Sequence, residues 1–390
     1  MLKTTLDQQT LTVFPSGRID SSNAAEFESD LFAAVQAAPG LNICVDVRDL
    51  TYISSAGLRV LMKLRKKMGV SLPVVSASSE VYSIFEVTGF IQLFDVQKAI
   101  RELSVEGLPV VGTGATAKVY KLDGETVVKV FNPNTSMQVI KQENERSKNA
   151  FLHGIPTAIS YDLVKVGDCF GTVYEMIDAQ DFLAVLEKDK EHLDDHVRRF
   201  ALAMKKMHQI EVEPDKFPPT KTGCLKVLPM LSGVCTQEEI EKLRLLFSSV
   251  PDRNTFIHGD CHPGNVMVQN GEFVFIDLMT CGSGHPVFDF GSICTVYHLP
   301  PDGNKAVSPL VKNFTREEAA RIWDVYLRSY LESDDEEYVR KVERQVVAVS
   351  AARTLFAAVF IPGLLTEERI AFLKKTAFSY VDEGIEPFTF

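Results

Sequence analysis

The sequence predicts two folds in succession, an α/β module over residues 1–104 and an α+β module after it. Three observations predict this. Short apolar runs alternate with amphipathic stretches through the first hundred residues, as expected of a mainly parallel sheet covered by helices. A polar hinge at residues 104–107 ends that alternation. Beyond it come closely spaced apolar runs joined by Gly-containing turns, and past residue 179 the periodicity is largely helical.

Taken in order, residues 11–15 read as a strand, with Gly17 and Asp20 marking the turn that follows. Ser21 or Ser22 offers an N-cap for a helix to about Gln36, where Ala25, Phe27, Leu31, Phe32 and Val35 fall mostly at helical spacing. Residues 43–47 form the next strand. Ser54 and Ser55 precede a helix over residues 56–68, whose last turn carries Arg65, Lys66 and Lys67, cations that complement the helix dipole. A strand at 72–75, a helix near 80–88, a short strand at 94–96 and a helix over 97–103 complete the module. Strands at 109–111, 119–122 and 126–131 then make a meander, and a helix over 137–152 leads to Gly154-Ile155-Pro156. In the helical remainder, strands at 266–269 and 273–276 flank the turn Asn270-Gly271. Residues 346–365 are the most apolar stretch, but Arg353 in the middle and Pro362 near the end mark a buried core helix and not a membrane span.

A chain of 390 residues is long enough for two or three domains. Its net charge of −11 argues against a nucleic-acid partner, which would call for a basic face. The seven cysteines are scattered without a C-x-x-C pair, which points to free thiols in a reducing, cytoplasmic setting. No cationic-then-apolar signal segment opens the chain.

The chemistry concentrates in His258-Gly259-Asp260-Cys261-His262-Pro263-Gly264-Asn265, closed by Ile276-Asp277. Asp260 is a candidate base for a hydroxyl nucleophile. Asn265 and Asp277 are candidate oxygen ligands for Mg²⁺ beside a bound nucleotide, ATP or GTP. Upstream, Gly112 and Gly114 lie in a Gly-rich turn between apolar strands, where backbone N–H groups can approach phosphate. Lys129 follows on an apolar strand and needs an anionic partner, for which Glu143 of the next helix is the best candidate and Glu145 the alternative. The segment from Tyr174 to Ile177 could offer the backbone of Glu175 and Ile177 to a base edge. A competing reading gives His258, Asp260, Cys261 and His262 to a transition metal, but Pro263 and Gly264 break the helix that H-x-x-x-H spacing usually needs. Asp289, in Asp289-Phe290-Gly291, is too far past Asn265 for a metal ligand on a short hairpin. It reads as a structural group bonding backbone near the catalytic loop.

These residues resemble the aminoglycoside-phosphotransferase branch of the protein-kinase-like fold, from about residue 108 to 295. His258-Gly259-Asp260 through Asn265 and Ile276-Asp277 match its H-G-D-x-x-x-x-N and metal motifs, and Lys129 with Glu143 matches its strand-lysine pair. The resemblance implies a bilobal fold, with residues 105–177 as the nucleotide lobe and 178–390 as the helical lobe. It also implies nucleotide-dependent phosphoryl transfer to a hydroxyl of a small molecule or protein. Ala117 stands where a third glycine is usual, and no A-P-E segment is present. Residues 1–104 resemble the STAS family of anti-sigma-factor antagonists, carried by Gly17-Arg18-Ile19-Asp20 and by Asp46 through Gly57-Leu58-Arg59-Val60. That resemblance implies a regulatory module with a protein partner and a phosphoacceptor at Ser55. The alternative function is a STAS signalling protein whose kinase-like part binds nucleotide without turnover.

Overall fold

A computed structural model describes the chain except Met1, Gln8, Ala115, residues 300–307 and Pro362. The chain divides into two compact units, Met1–Ser104 and Val105–Phe390.

In the first unit the strands are β1 (Lys3–Asp7), β2 (Thr10–Phe14), β3 (Gly17–Ile19), β4 (Asn42–Asp46), β5 (Leu50–Ile53), β6 (Pro73–Ala77) and β7 (Asp95–Lys98). The main sheet runs β1-β2-β4-β6-β7. Its pairs from β2 to β7 are parallel, while β1 forms an antiparallel hairpin with β2, Lys3 opposite Phe14. Helices α1 (Ala24–Gln36), α2 (Ser55–Met68) and α3 (Ser79–Val87) supply Phe27, Leu31, Leu58, Leu61, Leu64, Val81 and Phe85 to a core shared with Val13, Val45 and Val74. β3 pairs with β5 apart from that sheet. α2 packs so close to this pair that a Cβ on Gly57 would lie 2.7 Å from both Ile19 and Ile53.

Several local expectations are corrected. No helix spans 97–103. β7 continues to Lys98, paired in parallel with β6, and Arg101–Glu102 is a short strand, β8. Sheet pairing outweighs the modest helix propensity of this polar segment. The cap of α1 is Asn23, without a side-chain cap bond, and not Ser21 or Ser22. Ser22 instead donates its N–H and hydroxyl to Asp20 Oδ1. β1 went unread because every one of its residues is exposed, leaving no apolar alternation to detect.

The second unit opens with β9 (Val110–Thr113), β10 (Ala117–Lys121), β11 (Thr126–Phe131), α4 (Met137–Leu152), β12 (Ser160–Val166) and β13 (Cys169–Glu175). These strands lie side by side in the order β12-β13-β11-β10-β9, all antiparallel, with α4 packed against β12 and β13. The chain then passes through β14 (Gln180–Asp181) into α5 (Phe182–Lys188), α6 (Leu193–Met207), α7 (Thr220–Val227) and α8 (Gln237–Ser249). Next come β15 (Phe256–Ile257), β16 (Val266–Gln269), β17 (Glu272–Phe275), β18 (Gly282–Ser283) and α9 (Val287–Tyr297). β16 and β17 form a tight hairpin whose two turn residues, Asn270 and Gly271, both have positive φ, which Asn-Gly favours. α10 (Arg316–Leu331), α11 (Glu336–Thr354), α12 (Ala357–Phe360) and α13 (Glu367–Glu383) complete the helical part.

α9 is the central helix of this core, buried along almost its whole length against α11 and α10. The apolar stretch at 346–365 is not one buried helix. α11 ends at Thr354, α12 is a single turn, and Phe360 and Ile361 are more than half exposed. Pro362 lies outside the described residues. Among the described residues no helix is long and apolar enough to cross a membrane, and all seven cysteines are free.

Candidate active site

The loop from His258 to Asn265 joins β15 to β16, and backbone anchors hold its shape. The fully buried Asp289, at the start of α9, accepts the N–H of His258 at 2.8 Å and of Gly259 at 2.6 Å. His208, just past α6, donates a third bond to Asp289 at 3.0 Å, and its other ring nitrogen meets the Tyr330 hydroxyl at 2.8 Å. Burial alone would raise the Asp289 carboxyl. Its bonds with His208 and the loop amides outweigh that and hold it below the usual carboxylate range. Asp289 is therefore the structural group its position suggested, and not a metal ligand. Gly259 has φ +85° and lies against the Thr280 carbonyl so closely that no side chain fits.

His258 is buried. Its Nε2 donates to the Ile276 carbonyl at 3.1 Å, and its Nδ1 accepts the Asp260 N–H at 3.4 Å. The ring thus links the loop to the residue before Asp277 and is committed on both nitrogens. Cys261 is buried against Met204, where burial pushes its thiol well up. His262 accepts the Gly264 N–H, and burial lowers its pKa. Of the four residues of the transition-metal reading only His262 and Asp260 approach each other, at 3.9 Å, while His258 and Cys261 turn to other partners. Among the described residues no cluster of three His, Cys, Asp or Glu is placed to hold a metal.

The acids meet differently. Lys129 Nζ lies 2.7 Å from Glu143 Oε1 and 3.0 Å from Asp277 Oδ1, bridging α4 and the segment after β17. Burial opposes the lysine charge, but the two carboxylates outweigh it and raise its pKa. Glu143 is 1% exposed; burial raises its carboxyl, and the lysine offsets this only in part. Tyr174 donates to the same oxygen at 3.4 Å. Of the two glutamates left open by sequence, Glu145 is exposed and Glu143 makes the pair. Asp277 adopts a left-handed backbone, φ +62°, uncommon for a residue with a side chain and frequent at functional sites. This turns the chain sharply and leaves its carboxylate 39% exposed.

Asp260 is more than half exposed; its carboxylate accepts a long hydrogen bond from Ser292 Oγ at 3.4 Å, and its other oxygen lies 3.9 Å from His262 Nε2. Asn265 Nδ2 donates to the Asp260 carbonyl at 2.9 Å, and the Asn265 carbonyl accepts the Ile276 N–H at 3.0 Å. With the amide nitrogen engaged, the amide oxygen is left as the acceptor. A carboxylate oxygen and an amide oxygen on neighbouring segments are hard donors, and Mg²⁺ takes such ligands one or two at a time beside phosphates. The donor set fits that ion.

The nucleotide-contacting residues expected from sequence fall less neatly. Gly112 lies inside β9, opposite Val119, and the Gly114 N–H is taken by the Ala117 carbonyl. Ala115, at the tip, lies outside the described residues. In the connector after β13, the Met176 N–H pairs with Glu125 O, which turns the Glu175 backbone to the opposite edge, where its N–H donates to Ile159 O. The Ile177 N–H has no hydrogen bond among the described residues. The Glu175 carboxylate accepts the Ile159 N–H at 3.3 Å. With Ile177, Phe151, Pro156 and Gln269 it lines a cleft of about 400 Å³ that contains none of Lys129, Asp260 or Asp277. Ser55 is exposed at the first position of α2, while Ser54 is the cap, accepting the N–H groups of Ala56 and Gly57.

Sequence reasoning missed the partners that shape the loop, namely His208, Ser292, Arg146 and Arg353. Arg146 donates to the Met279 carbonyl, and Arg353 to the Gly259 and Phe288 carbonyls. Arg353 alone left a signal, as a cation within an apolar stretch.

Residues 108–341 match the phosphotransferase enzyme family, and residues 2–103 match the STAS domain. Among curated proteins, BtrV of Bordetella bronchiseptica is 36% identical over 84 residues, 20% of this chain and 71% of that protein. The anti-sigma-B factor antagonist of Bacillus subtilis is 30% identical over 84 residues, 21% of this chain and 75% of its own. Among solved structures, the ADP-bound aminoglycoside phosphotransferase APH(2'')-Ib is 17% identical, with a TM-score of 0.48, over 70% of this chain and 93% of that one. A choline/ethanolamine kinase family protein from Mesorhizobium loti is 14% identical, with a TM-score of 0.45, over 69% and 87%.

Proposed function

We propose that this chain, which belongs to the phosphotransferase enzyme family and carries a STAS domain ahead of it, transfers the terminal phosphoryl group of ATP or GTP to a hydroxyl. The observation that carries this reading is Lys129 held between Glu143 and Asp277, at 2.7 and 3.0 Å, in the same unit as a largely unbonded Asp260. Asp260 orients the acceptor hydroxyl and takes its proton as the oxygen bonds to phosphorus, while the bond to the bridging oxygen breaks and the nucleoside diphosphate leaves. Lys129 holds phosphate oxygens. Asn265 and Asp277 would hold Mg²⁺, which would supply charge neutralisation on the phosphates when bound. Gly112, Gly114 and the Ile177 backbone border the nucleotide, whereas the Glu175 N–H is taken by Ile159 O. In this reading residues 1–104 are regulatory, 105–177 carry the nucleotide and 178–390 carry the acceptor, a small molecule or a protein.

Ser55 is the phosphoacceptor of the STAS module in the same reading. Its hydroxyl is exposed at a helix start, where a phosphoryl group of about −1.5 to −2 charge is tolerated and would repel an acidic partner. The free thiols suit a cytoplasmic setting. The rival reading, nucleotide binding without turnover, would be expected to lack part of the Asp260, Asn265 and Asp277 set, and the chain has all three.

Incubation with γ-labelled ATP or GTP and Mg²⁺ tests the proposal. Asp260→Ala is expected to lower phosphate release or incorporation by about 10²- to 10⁴-fold, and Ser55→Ala to remove label from the STAS module. An Asp260→Ala protein as active as wild type would reject the assignment.

A further inference from the structure

Gly259 is gripped on both sides. Its N–H donates to Asp289 Oδ1 at 2.6 Å, and its carbonyl accepts from Arg353 Nη2 at 2.9 Å. The other guanidinium nitrogen, Nη1, donates to the carbonyl of Phe288, the residue before Asp289. One side chain of α11 thus ties the peptide entering Asp260 to the first turn of α9. The guanidinium runs close past Gly291, where a Cβ would lie 3.4 Å from Nη1. Arg353 has no carboxylate partner among the described residues; its acceptors are two neutral carbonyls. Keeping a part-buried cation on neutral acceptors, in the most apolar stretch of the chain, is a poor way to stabilise a core.

We infer that Arg353 is a positioning residue for Asp260, assisted by Ser292. The inference rests on the phosphotransferase reading above. The peptide unit is planar, so pinning the Gly259 carbonyl also sets the nitrogen of Asp260. Only the φ of Asp260 and its side-chain torsions then remain free, and the Ser292 hydroxyl, 3.4 Å from Oδ1, restrains the latter. Ser292 lies on the narrow accessible stripe of the otherwise buried α9, with Thr295. The carboxylate is therefore aimed from the interior, with Oδ1 near Ser292 and Oδ2 3.9 Å from His262 Nε2, while more than half of the side chain stays exposed to an acceptor. Reaction rates respond steeply to such placement.

The test is ADP release from ATP and Mg²⁺ by the full chain, comparing Arg353→Met, Arg353→Lys, Asp260→Ala and the double variants. Arg353→Met is expected to lower kcat about 30- to 100-fold with the nucleotide KM within about threefold, and Arg353→Lys to recover part of the loss. In the Asp260→Ala background the Arg353 substitution should cost nothing further, because it acts only through that carboxylate. Multiplying losses, or a nucleotide KM that rises in step, would overturn the role of Arg353 while leaving Asp260 as the base. Wild-type turnover by Asp260→Ala would instead sink the underlying reading. Should Arg353→Met not fold, Arg353→Lys and Ser292→Ala carry the same cycle. Hydrogen exchange at the Asp260 amide, which needs no turnover, should rise in Arg353→Lys, and unchanged exchange would count against the inference.

Discussion

Lys129 shows how a residue pattern and its chemistry separate. A lysine on an apolar strand was legible, and so was its need for an anion, but two glutamates stood within reach along the next helix. Burial separates them: Glu143 faces β11 and β13 from α4, and Glu145 faces solvent. Lys129→Met would leave Glu143 buried without its cation, a change that typically costs about 3–5 kcal/mol. Loss of thermal stability with loss of turnover is expected. Adding Glu143→Gln should restore much of the stability and none of the turnover, read by melting and by ADP release. Gly259 makes the same point through backbone. With φ +85° and the Thr280 carbonyl against it, Gly259→Ala should lose activity and about 1–3 kcal/mol or more in denaturant unfolding. Near-wild-type stability would show that the loop is softer than its contacts suggest.

At the scale of elements, strong periodicity was readable and weak periodicity was not. α1, α2, α4 and the β16–β17 hairpin follow from apolar spacing and turn chemistry. β1 and the 97–103 segment lack an apolar face, so only sheet pairing decides them. The start of α2 was placed within a residue, and the structure decides which of the two serines caps it. Ser54, with φ −84° and ψ 173°, accepts the Ala56 and Gly57 amides, while Ser55 already belongs to the helix. Ser54→Ala should therefore cost about 1 kcal/mol of stability and Ser55→Ala close to none. Equal losses in chemical denaturation would mean both hydroxyls cap. That separation leaves Ser55 free to be modified without a structural penalty to the helix.

At the scale of the molecule, each unit has its own core, and the second carries a pH dependence that sequence could not reveal. His285 is fully buried beside Phe388 and Phe390, with ring centroids 5.6 and 4.9 Å away, and accepts the Val287 N–H. Burial, aided by the nearby Arg253 charge, pushes its pKa down to about 3. The unfolded chain takes up this proton near pH 6.5 and the folded unit does not, so the unfolded state binds more protons between those values. Stability should then fall as pH drops through that window, by about 2 kcal/mol between pH 7 and 5 for this one group. His285→Phe should flatten that slope in urea unfolding of the full chain, and an unchanged slope would refute it. By itself the sequence determined the kinds and order of the chemistry-bearing residues, the two-module plan and the strongly periodic elements, because each of these is written in local spacing. Tertiary structure alone decided that His208 backs Asp289 where it grips the loop, that Ser292 meets Asp260, and that Arg353 reaches Gly259. Those partners lie as far as 94 residues apart along the chain, and no local period specifies which buried side chain packing will bring to which carbonyl.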